Sequence, residues 1–318
     1  MNQILVGDIG GTNARLGVAH FDSTGCISIR DFIKYQGESF PTITDMLETY
    51  SSRIDGVPKK VSLAVAGPVE NDSAYLTNRS WSISADDVCE MSSFDAARIF
   101  NDFAAMARSV PELDHDDFAN IHQGTPDKSS PILVAGPGTG FGVSYVIPMA
   151  SGWKILSTEG GHVAYAPQTQ MESEILFILQ KGHEFVSLEL VSAGIGLASV
   201  HKAVCELHGV DYSYLEPSDI QENAMTGDAV CRDVFQIRAN ATMSALGDFV
   251  LSGGARGGVV IAGGVAQHMA EIYKQPEAMS RFFKKGKYES YLRETPIRLM
   301  KKATAPLIGA AALYKDNS

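Results

Sequence analysis

The sequence has little positive charge and no long apolar run, and each shortage excludes a class of protein. Its 318 residues include 26 lysines and arginines against 37 aspartates and glutamates, a formal net charge of −11. Such an acidic surface repels phosphate backbones, so we expect no nucleic-acid partner. No apolar run reaches the roughly 18 residues that cross a bilayer, and the N-terminus lacks the basic head of a signal peptide. We therefore expect no membrane partner.

Cysteine is also scarce. The chain has Cys26, Cys89, Cys205 and Cys231, and no two of them form a C-x-x-C pair. This scatter is not that of a disulfide framework or of a structural zinc site. The pattern favours a reducing, cytoplasmic compartment.

What is present is an alternation of buried strands and helical patterns, which predicts an α/β fold. The length exceeds the roughly 250–300 residues of a single core, so we expect two lobes. Each half opens with strand, glycine turn and strand, which suggests an internal duplication. The polar, acidic stretch 111–131 predicts a surface connection near the lobe boundary. We expect strands at 4–8, 14–21, 26–32, 61–66, 98–100, 132–135, 142–147, 259–262 and 297–300, and helices at 42–53, after Ser84, at 171–180, 228–251 and 307–314.

Two glycine-rich segments are suited to binding phosphate. They are VGDIGGTNAR at 6–15 and AGPGTGFG at 135–142. Glycine lets backbone N–H groups approach an anion without a Cβ in the way. The second segment runs into VSYVI, a β-branched and aromatic run, so it predicts a β-hairpin tip and not the strand–turn–helix of a dinucleotide fingerprint. No Walker P-loop motif occurs in the sequence. Two plain hairpin turns are the alternative interpretation.

Several polar residues are candidates for chemistry. Asp8 is the last residue of a buried strand beside the first glycine turn, where it could hold Mg²⁺ through water or act as a turn residue. Asn101 and Asp102 follow a short strand; Asp102 is a candidate general base, and a helix N-cap pair is the alternative. Glu189 lies in the first turn of a helix capped by Ser187, where a carboxylate also suits the helix dipole.

Taken in order, VGDIGGTNAR, IFNDFAA, VAGPGTGFGVS, STEGGHVAYAP and VVIAGGV closely resemble the bacterial glucokinase family, whose fold is that of actin, Hsp70 and hexokinase. The resemblance covers nearly the whole chain. It implies an α/β, two-lobed actin-like (ribonuclease H-like) ATPase fold with a central cleft. We expect a small lobe at 1–110, a large lobe at 111–304, and a C-terminal helix at 305–318 that packs back onto the small lobe.

The resemblance also implies the reaction and its residues. The expected activity is ATP-dependent phosphorylation of D-glucose at the 6-hydroxyl to glucose 6-phosphate, feeding glycolysis, by a cytoplasmic, homodimeric transferase that uses Mg²⁺. Asp102 is the expected catalytic base, and Asn78, Asn101, Asp102, Glu159, His162 and Glu189 are the expected sugar contacts. The expected nucleotide contacts are Gly7, Asp8, Ile9, Gly10, Gly11, Thr12, Asn13, Gly136, Gly138, Thr139, Gly140, Gly263 and Gly264.

Three alternatives to a zinc-free glucose kinase can be compared with the sequence. The neighbouring repressor and sugar-kinase group carries a cysteine-rich zinc segment after its equivalent histidine, but here no cysteine follows His162 before Cys205. We therefore expect a zinc-free enzyme. A kinase for mannose, fructose or N-acetylglucosamine fits the same polar residues. A sugar-sensing regulator on the same fold is disfavoured, because the first core strand is expected from Ile4 and leaves no room for a helix-turn-helix ahead of it.

Overall fold

The computed structural model describes residues 2–10, 13–76, 81–92 and 94–317. The chain forms two compact units, one made of residues up to Asp117 together with those from Lys302, the other of Phe118–Lys301. Strands and helices alternate in both, so the predicted α/β class is confirmed. Within the described residues, no helix combines the length and apolar character that crossing a membrane requires.

The first unit is built on a mixed sheet of strand order β3-β2-β1-β4-β8. Strand β1 is antiparallel to β2 and parallel to β4, and β4 is parallel to β8. Strands β5, β6 and β7 form a separate small antiparallel sheet. Its elements are β1 Gln3–Ile9, β2 Asn13–Phe21, β3 Ile27–Gln36, α1 Ile43–Ser51, β4 Lys60–Val65, β5 Val69–Glu70, β6 Ser73–Leu76, β7 Trp81–Ser84, α2 Ala85–Met91, β8 Ala96–Asn101 and α3 Asp102–Ser109.

The second unit has a mixed sheet of strand order β12-β11-β10-β13-β14-β9. Strand β10 is antiparallel to β11 and parallel to β13, which is parallel to β14, so the strand order of the first unit is repeated. Its elements are β9 Phe118–His122, β10 Ile132–Pro137, β11 Phe141–Met149, β12 Gly152–Thr158, α4 Gln170–Gln180, α5 Leu188–Ser192, α6 Leu197–His208, α7 Pro217–Thr226, α8 Ala229–Gly253, β13 Gly258–Ile261, α9 Gly264–His268, α10 Ala270–Tyr273, α11 Pro276–Phe283, α12 Glu289–Arg293 and β14 Ile297–Met300.

The last helix, α13 (Ala305–Asp316), belongs to the first unit and packs against α3. The two helices approach closely, since a Cβ on Gly309 would collide with the carbonyl oxygen of Ala105. Ser62 Oγ of β4 donates a hydrogen bond of 2.8 Å to the carbonyl of Ala310. Arg108 of α3 forms an ion pair with Asp316, Nε to Oδ2 2.6 Å. Helix α13 is therefore an integral part of the core of this unit.

The apolar patterns account for most of these elements. In α1 the predicted stripe of Ile43, Met46, Leu47 and Tyr50 is buried in the core of the first unit. Long buried runs form β1, β4 and β10, as expected of strands covered on both faces. One prediction was wrong. The stretch 111–131 is not only a surface connection, because it contains β9, which pairs antiparallel with β14 at the edge of the second sheet.

Candidate active site

In the first unit, the glycine turn joins β1 to β2. Asp8 on β1 lies directly opposite Arg15 on β2, and the turn begins with a hydrogen bond of 3.0 Å from Gly10 N to Asn13 O. Ile9 and Gly7 lie within the sheet. The Ile9 side chain is fully buried, so only its backbone could meet a ligand. Gly7 lacks the Cβ that would press on Leu63 and Leu16. The predicted contacts Gly11 and Thr12 lie outside the described residues.

The Asp8 carboxylate is almost completely buried, with 8% of the residue exposed. Its Oδ2 accepts a hydrogen bond of 2.6 Å from Arg15 Nη1, while the Arg15 side chain keeps 36% of its surface exposed. Burial raises the pKa of Asp8, and the charge of Arg15 opposes this. Arg15 is the last residue of the glycine motif. It was not predicted as part of the site, although counting the strand register outward from the turn pairs it with Asp8.

Asn101 ends β8 and caps α3. Its Oδ1 accepts the backbone N–H groups of Phe103 and Ala104 at 3.0 and 2.9 Å. Its Nδ2 donates to the carbonyl of Gly67 at 2.9 Å. The N-cap interpretation of Asn101 is thus confirmed, and both ends of its amide are used in holding the local structure. The second N–H of Nδ2 donates to Asp102 Oδ1 at the longer distance of 3.3 Å, so both amide hydrogens have partners within the protein.

Asp102 is the first residue of α3 and is half-buried. Its Oδ1 accepts the N–H of Phe103 at 2.8 Å and lies 3.3 Å from Asn101 Nδ2. A carboxylate at a helix N-terminus is stabilised by the positive end of the helix dipole. The capped helix start therefore fixes the position of this carboxylate. The predicted neighbour Asn78 lies outside the described residues.

In the second unit, the second glycine segment is the tip of the β10–β11 hairpin, as predicted. Gly138 N donates to Gly140 O at 2.8 Å, and Thr139 at the tip is exposed. The base of the hairpin lies against the end of β13. A Cβ on Gly136 would collide with the carbonyl of Ala262, and one on Gly263, which has φ +108°, would lie 2.5 Å from the carbonyl of Pro137.

Helix α5 and the turn after it support this hairpin. Glu189 Oε2 accepts the N–H of Phe141 at 2.7 Å. The N–H groups of Gly194 and Ile195 donate to the carbonyls of Gly138 and Thr139, both at 2.9 Å. The sequence did not indicate Gly194 and Ile195 as part of the site, because only the folded chain brings this turn to the hairpin. Gly264 opens α9 beside the hairpin base, and a side chain there would meet open space.

The predicted sugar residues of this unit form a second group around Glu189. Ser187 caps α5, and Glu189 lies in its first turn, as predicted. His162 Nε2 lies 3.8 Å from Glu189 Oε1. Hydrogen bonds between 163–165 and 186–188 bring the two segments together. Glu159 precedes the 3₁₀ turn Gly160–His162 and is exposed.

The two glycines between Glu159 and His162 allow the turn to lie flat on β11. A Cβ on Gly160 would lie 2.8 Å from Val143 Cγ2, and one on Gly161 would collide with the carbonyl of Phe141. The second unit therefore brings together the hairpin, Glu189 and His162, and the first unit brings together Asn101 and Asp102. Among the described residues, no group of three or more His, Cys, Asp or Glu side chains is placed to hold a metal ion.

Comparison with known proteins gives one consistent family. A sequence model described as Glucokinase matches residues 5–317. The glucokinase of Chromobacterium violaceum is 33% identical and aligns over 98% of this chain and 89% of its own length. The glucokinase of Caulobacter sp. (strain K31) is 36% identical over 96% of this chain and 93% of its own.

A solved structure gives the same result. The crystal structure of a glucokinase from an Antarctic psychrotroph superposes with a TM-score of 0.88 at 35% identity and covers 99% of each chain. The predicted fold, α/β and actin-like, is confirmed.

Proposed function

This chain belongs to the glucokinase family, and from that premise we propose which of its residues carry out the reaction. The protein is a kinase that transfers a phosphoryl group from ATP to glucose. The observation that carries the residue assignment is the position of Glu189. One carboxylate oxygen accepts the N–H at the end of the glycine hairpin, and the other faces His162 at 3.8 Å. A phosphate loop and sugar-binding side chains are thereby joined through one residue.

We propose that the two glycine hairpins hold the ATP phosphates. At the second hairpin, Gly138 leaves the backbone beside Thr139 uncovered, and the absence of a Cβ on Gly140 makes room for the Glu189 carboxylate. Gly136 and Gly263 permit the close packing of its base. At the first, Gly10 and Asn13 begin and end the turn, and Asp8 and Ile9 lead into it. Backbone N–H groups in such turns bind anions. Gly264, with open space around it, is suited to the adenosine side.

Glucose is proposed to bind through Asn101, Asp102, Glu159, His162 and Glu189. A sugar hydroxyl both donates and accepts, so carboxylates, an amide and an imidazole suit it. The 6-hydroxyl oxygen attacks the γ-phosphorus, the bond from that phosphorus to the bridging oxygen breaks, and ADP leaves. The Asp102 carboxylate accepts the hydroxyl proton, which makes the attacking oxygen a better nucleophile.

Asp8 is proposed to hold Mg²⁺ through water. Mg²⁺ is typically bound by one or two carboxylates together with substrate phosphates, so it does not require a cluster of protein ligands. Asp8 fits this role because its carboxylate is anchored by Arg15 beside the glycine turn. The ion would neutralise charge on the transferred phosphoryl group.

Two broader properties are proposals. A cytoplasmic location is supported by four free cysteines and by the dependence of the reaction on ATP. A homodimer is supported by the family resemblance, and light scattering at micromolar concentration tests it.

The substrate is tested with a coupled assay of ADP release across a panel of hexoses. We expect kcat/KM for glucose to exceed that for mannose, fructose and N-acetylglucosamine by at least about tenfold, because loss of one well-made hydroxyl contact costs this much or more. A higher kcat/KM for any other hexose on the panel would overturn the glucose assignment.

A further inference from the structure

Arg238 is a buried cation that the reaction as described does not use. It lies in the middle of α8, with only 2% of the residue exposed. Its Nη2 donates a hydrogen bond of 3.0 Å to the carbonyl of Ser192, and its Nε has no hydrogen-bond partner. Burial lowers the pKa of Arg238 to about 10, so the side chain is charged at neutral pH.

The other buried arginines differ in having carboxylate partners. Arg281 pairs with Glu172 at 2.5 Å, and Arg108 pairs with both Glu112 and Asp316. In the described part of the chain, Arg238 has no such ion pair. An unpaired charge in a protein interior is strongly unfavourable, so a compensating anion is to be expected when the protein functions.

The hydrogen bond of Arg238 to Ser192 connects it, through a short stretch of chain, to the second glycine hairpin. Ser192 is the last residue of α5, and two residues later Gly194 donates to the carbonyl of Gly138. Two hydrogen bonds and two residues of chain therefore separate the guanidinium from the hairpin, a distance on the order of 10 Å. The hydroxyl of Ser192 is also buried without a partner. A positive charge in this low-dielectric interior acts on the hairpin with little screening.

We propose that Arg238 is a positioning residue of the nucleotide site, which holds the turn after α5 against the hairpin and supplies a buried positive charge that balances the nucleotide phosphates. The proposal rests on the proposed function of the hairpin as a phosphate loop. A buried arginine near the second hairpin would supply the positive charge that a Walker lysine provides in P-loop proteins, in a chain whose net charge is negative.

The test separates charge from shape by comparing ligands with and without phosphates. ATP, ADP and adenosine are titrated in EDTA by calorimetry into the wild type, Arg238→Met, Arg238→Gln and Arg238→Lys. We expect Arg238→Met and Arg238→Gln to weaken the binding of ATP and ADP by about tenfold or more and to leave the affinity for adenosine within about twofold of the wild type. Arg238→Lys should retain the affinity for ATP within about threefold. Equal weakening of ATP and adenosine, or unchanged ATP affinity, would overturn the proposal.

A matched control is Arg281→Gln, which removes a similarly buried but paired arginine of the same unit. We expect it to lower the unfolding temperature without changing the ratio of ATP to adenosine affinity, because its charge is already balanced. Arg238→Met removes an unpaired charge, so its unfolding temperature should stay within about 3 °C of the wild type. Should the Met variant fail to fold, the Gln and Lys variants give the same contrast.

A separate variant distinguishes this proposal from its premise. Gly138→Val places a side chain at the hairpin tip itself. If it leaves ATP affinity unchanged, the hairpin is not the phosphate loop and both assignments fall together. If it weakens ATP while Arg238→Met and Arg238→Gln do not, the hairpin assignment stands and only the role of Arg238 is wrong.

Discussion

Asp102 is the residue on which the proposed chemistry depends most. Asp102→Asn keeps the size of the side chain and its place at the start of α3 but cannot accept a proton. A general base typically contributes about 10²–10⁴-fold in rate, so we expect kcat to fall at least about 100-fold. Because ground-state contacts are mostly kept, KM for glucose should change only modestly. Steady-state kinetics with glucose as the varied substrate measure both.

The control for this substitution is Asp86→Asn. Asp86 is an exposed acidic residue in the first turn of α2 in the same unit. Its substitution removes the same kind of helix-dipole interaction without changing a residue of the proposed site. Its kcat should equal that of the wild type. Phosphoryl transfer is largely dissociative, which reduces the demand for early proton removal. A folded Asp102→Asn variant with kcat within about threefold of the wild type would show that Asp102 binds sugar and is not the base.

At the level of elements, substitutions at two glycines of the second hairpin should affect different properties, ATP binding at Gly138 and stability at Gly136. A side chain at Gly138 would contact only Gly140 O, at 3.9 Å, so Gly138→Val should leave the fold intact and raise KM for ATP by about tenfold or more. A side chain at Gly136 would collide with the Ala262 carbonyl, so Gly136→Ala should lower the unfolding temperature. Thermal unfolding and steady-state kinetics with varied ATP on both variants separate the two roles. An unchanged KM for ATP in Gly138→Val would show that the hairpin tip does not bind the nucleotide.

The longest helix offers a pH-dependent prediction. Asp228 caps α8, and the hydrogen bond from Cys231 N, 2.8 Å, lowers the pKa of Asp228 below its ordinary 3.8. The ionised cap therefore stabilises the fold above pH 4, and this contribution is lost as the pH falls through the lowered pKa. Asp228→Ala should lower the free energy of unfolding by about 1 kcal/mol at pH 7. Below pH 4 its free energy of unfolding should differ less from that of the wild type.

Asp228→Asn is the matched variant, because asparagine caps equally well and does not titrate. Its stability should stay close to the wild type at pH 7. Unfolding in urea at several pH values measures all three proteins. An Ala variant whose deficit is the same at pH 3 and pH 7 would contradict the assignment of the titrating cap.

The elements that the sequence predicted are those whose signal is local. The stripe of α1, the cap of α5 at Ser187, and the β-branched run after the second glycine segment each lie within a few residues, and the structure has all three. Edge strand β9 was missed because it is short, lies between acidic and proline-containing segments, and becomes a strand by pairing with β14, far along the chain. The β5–β7 sheet and β12 were also missed, since the short strands β5–β7 and the largely exposed strand β12 depend on their neighbours.

The same limit applies to the site. Asp8, Asn101 and Glu189 could be selected because each stands beside a strand end, a glycine turn or a helix cap. The bond from Phe141 N to Glu189 joins residues 48 positions apart, and Arg238 reaches Ser192 across 46. No spacing rule on the sequence reports such contacts, so the support behind the hairpin became visible only in the fold.

For the whole molecule, the metal requirement is a direct test of the zinc-free assignment. We expect elemental analysis of purified protein to find no stoichiometric zinc. Activity should vanish on chelation and return fully when Mg²⁺ is added back, because the divalent ion accompanies the nucleotide. One tightly held zinc per chain, or activity restored only by zinc, would place the protein with the zinc-containing sugar kinases.

The return of the chain to its first unit also determines the order in which the protein can be made. A ribosome releases the first 117 residues early, yet their core lacks α13 until residues 305–316 have emerged. The second unit is continuous in sequence and can close first, which reverses the usual N-terminal-first order. Until α13 has emerged, the surface of α3 and β4 that it covers is exposed, so nascent chains of this protein should depend on chaperones that bind apolar surface. Chains arrested before Ala305 should be cleared by proteolysis.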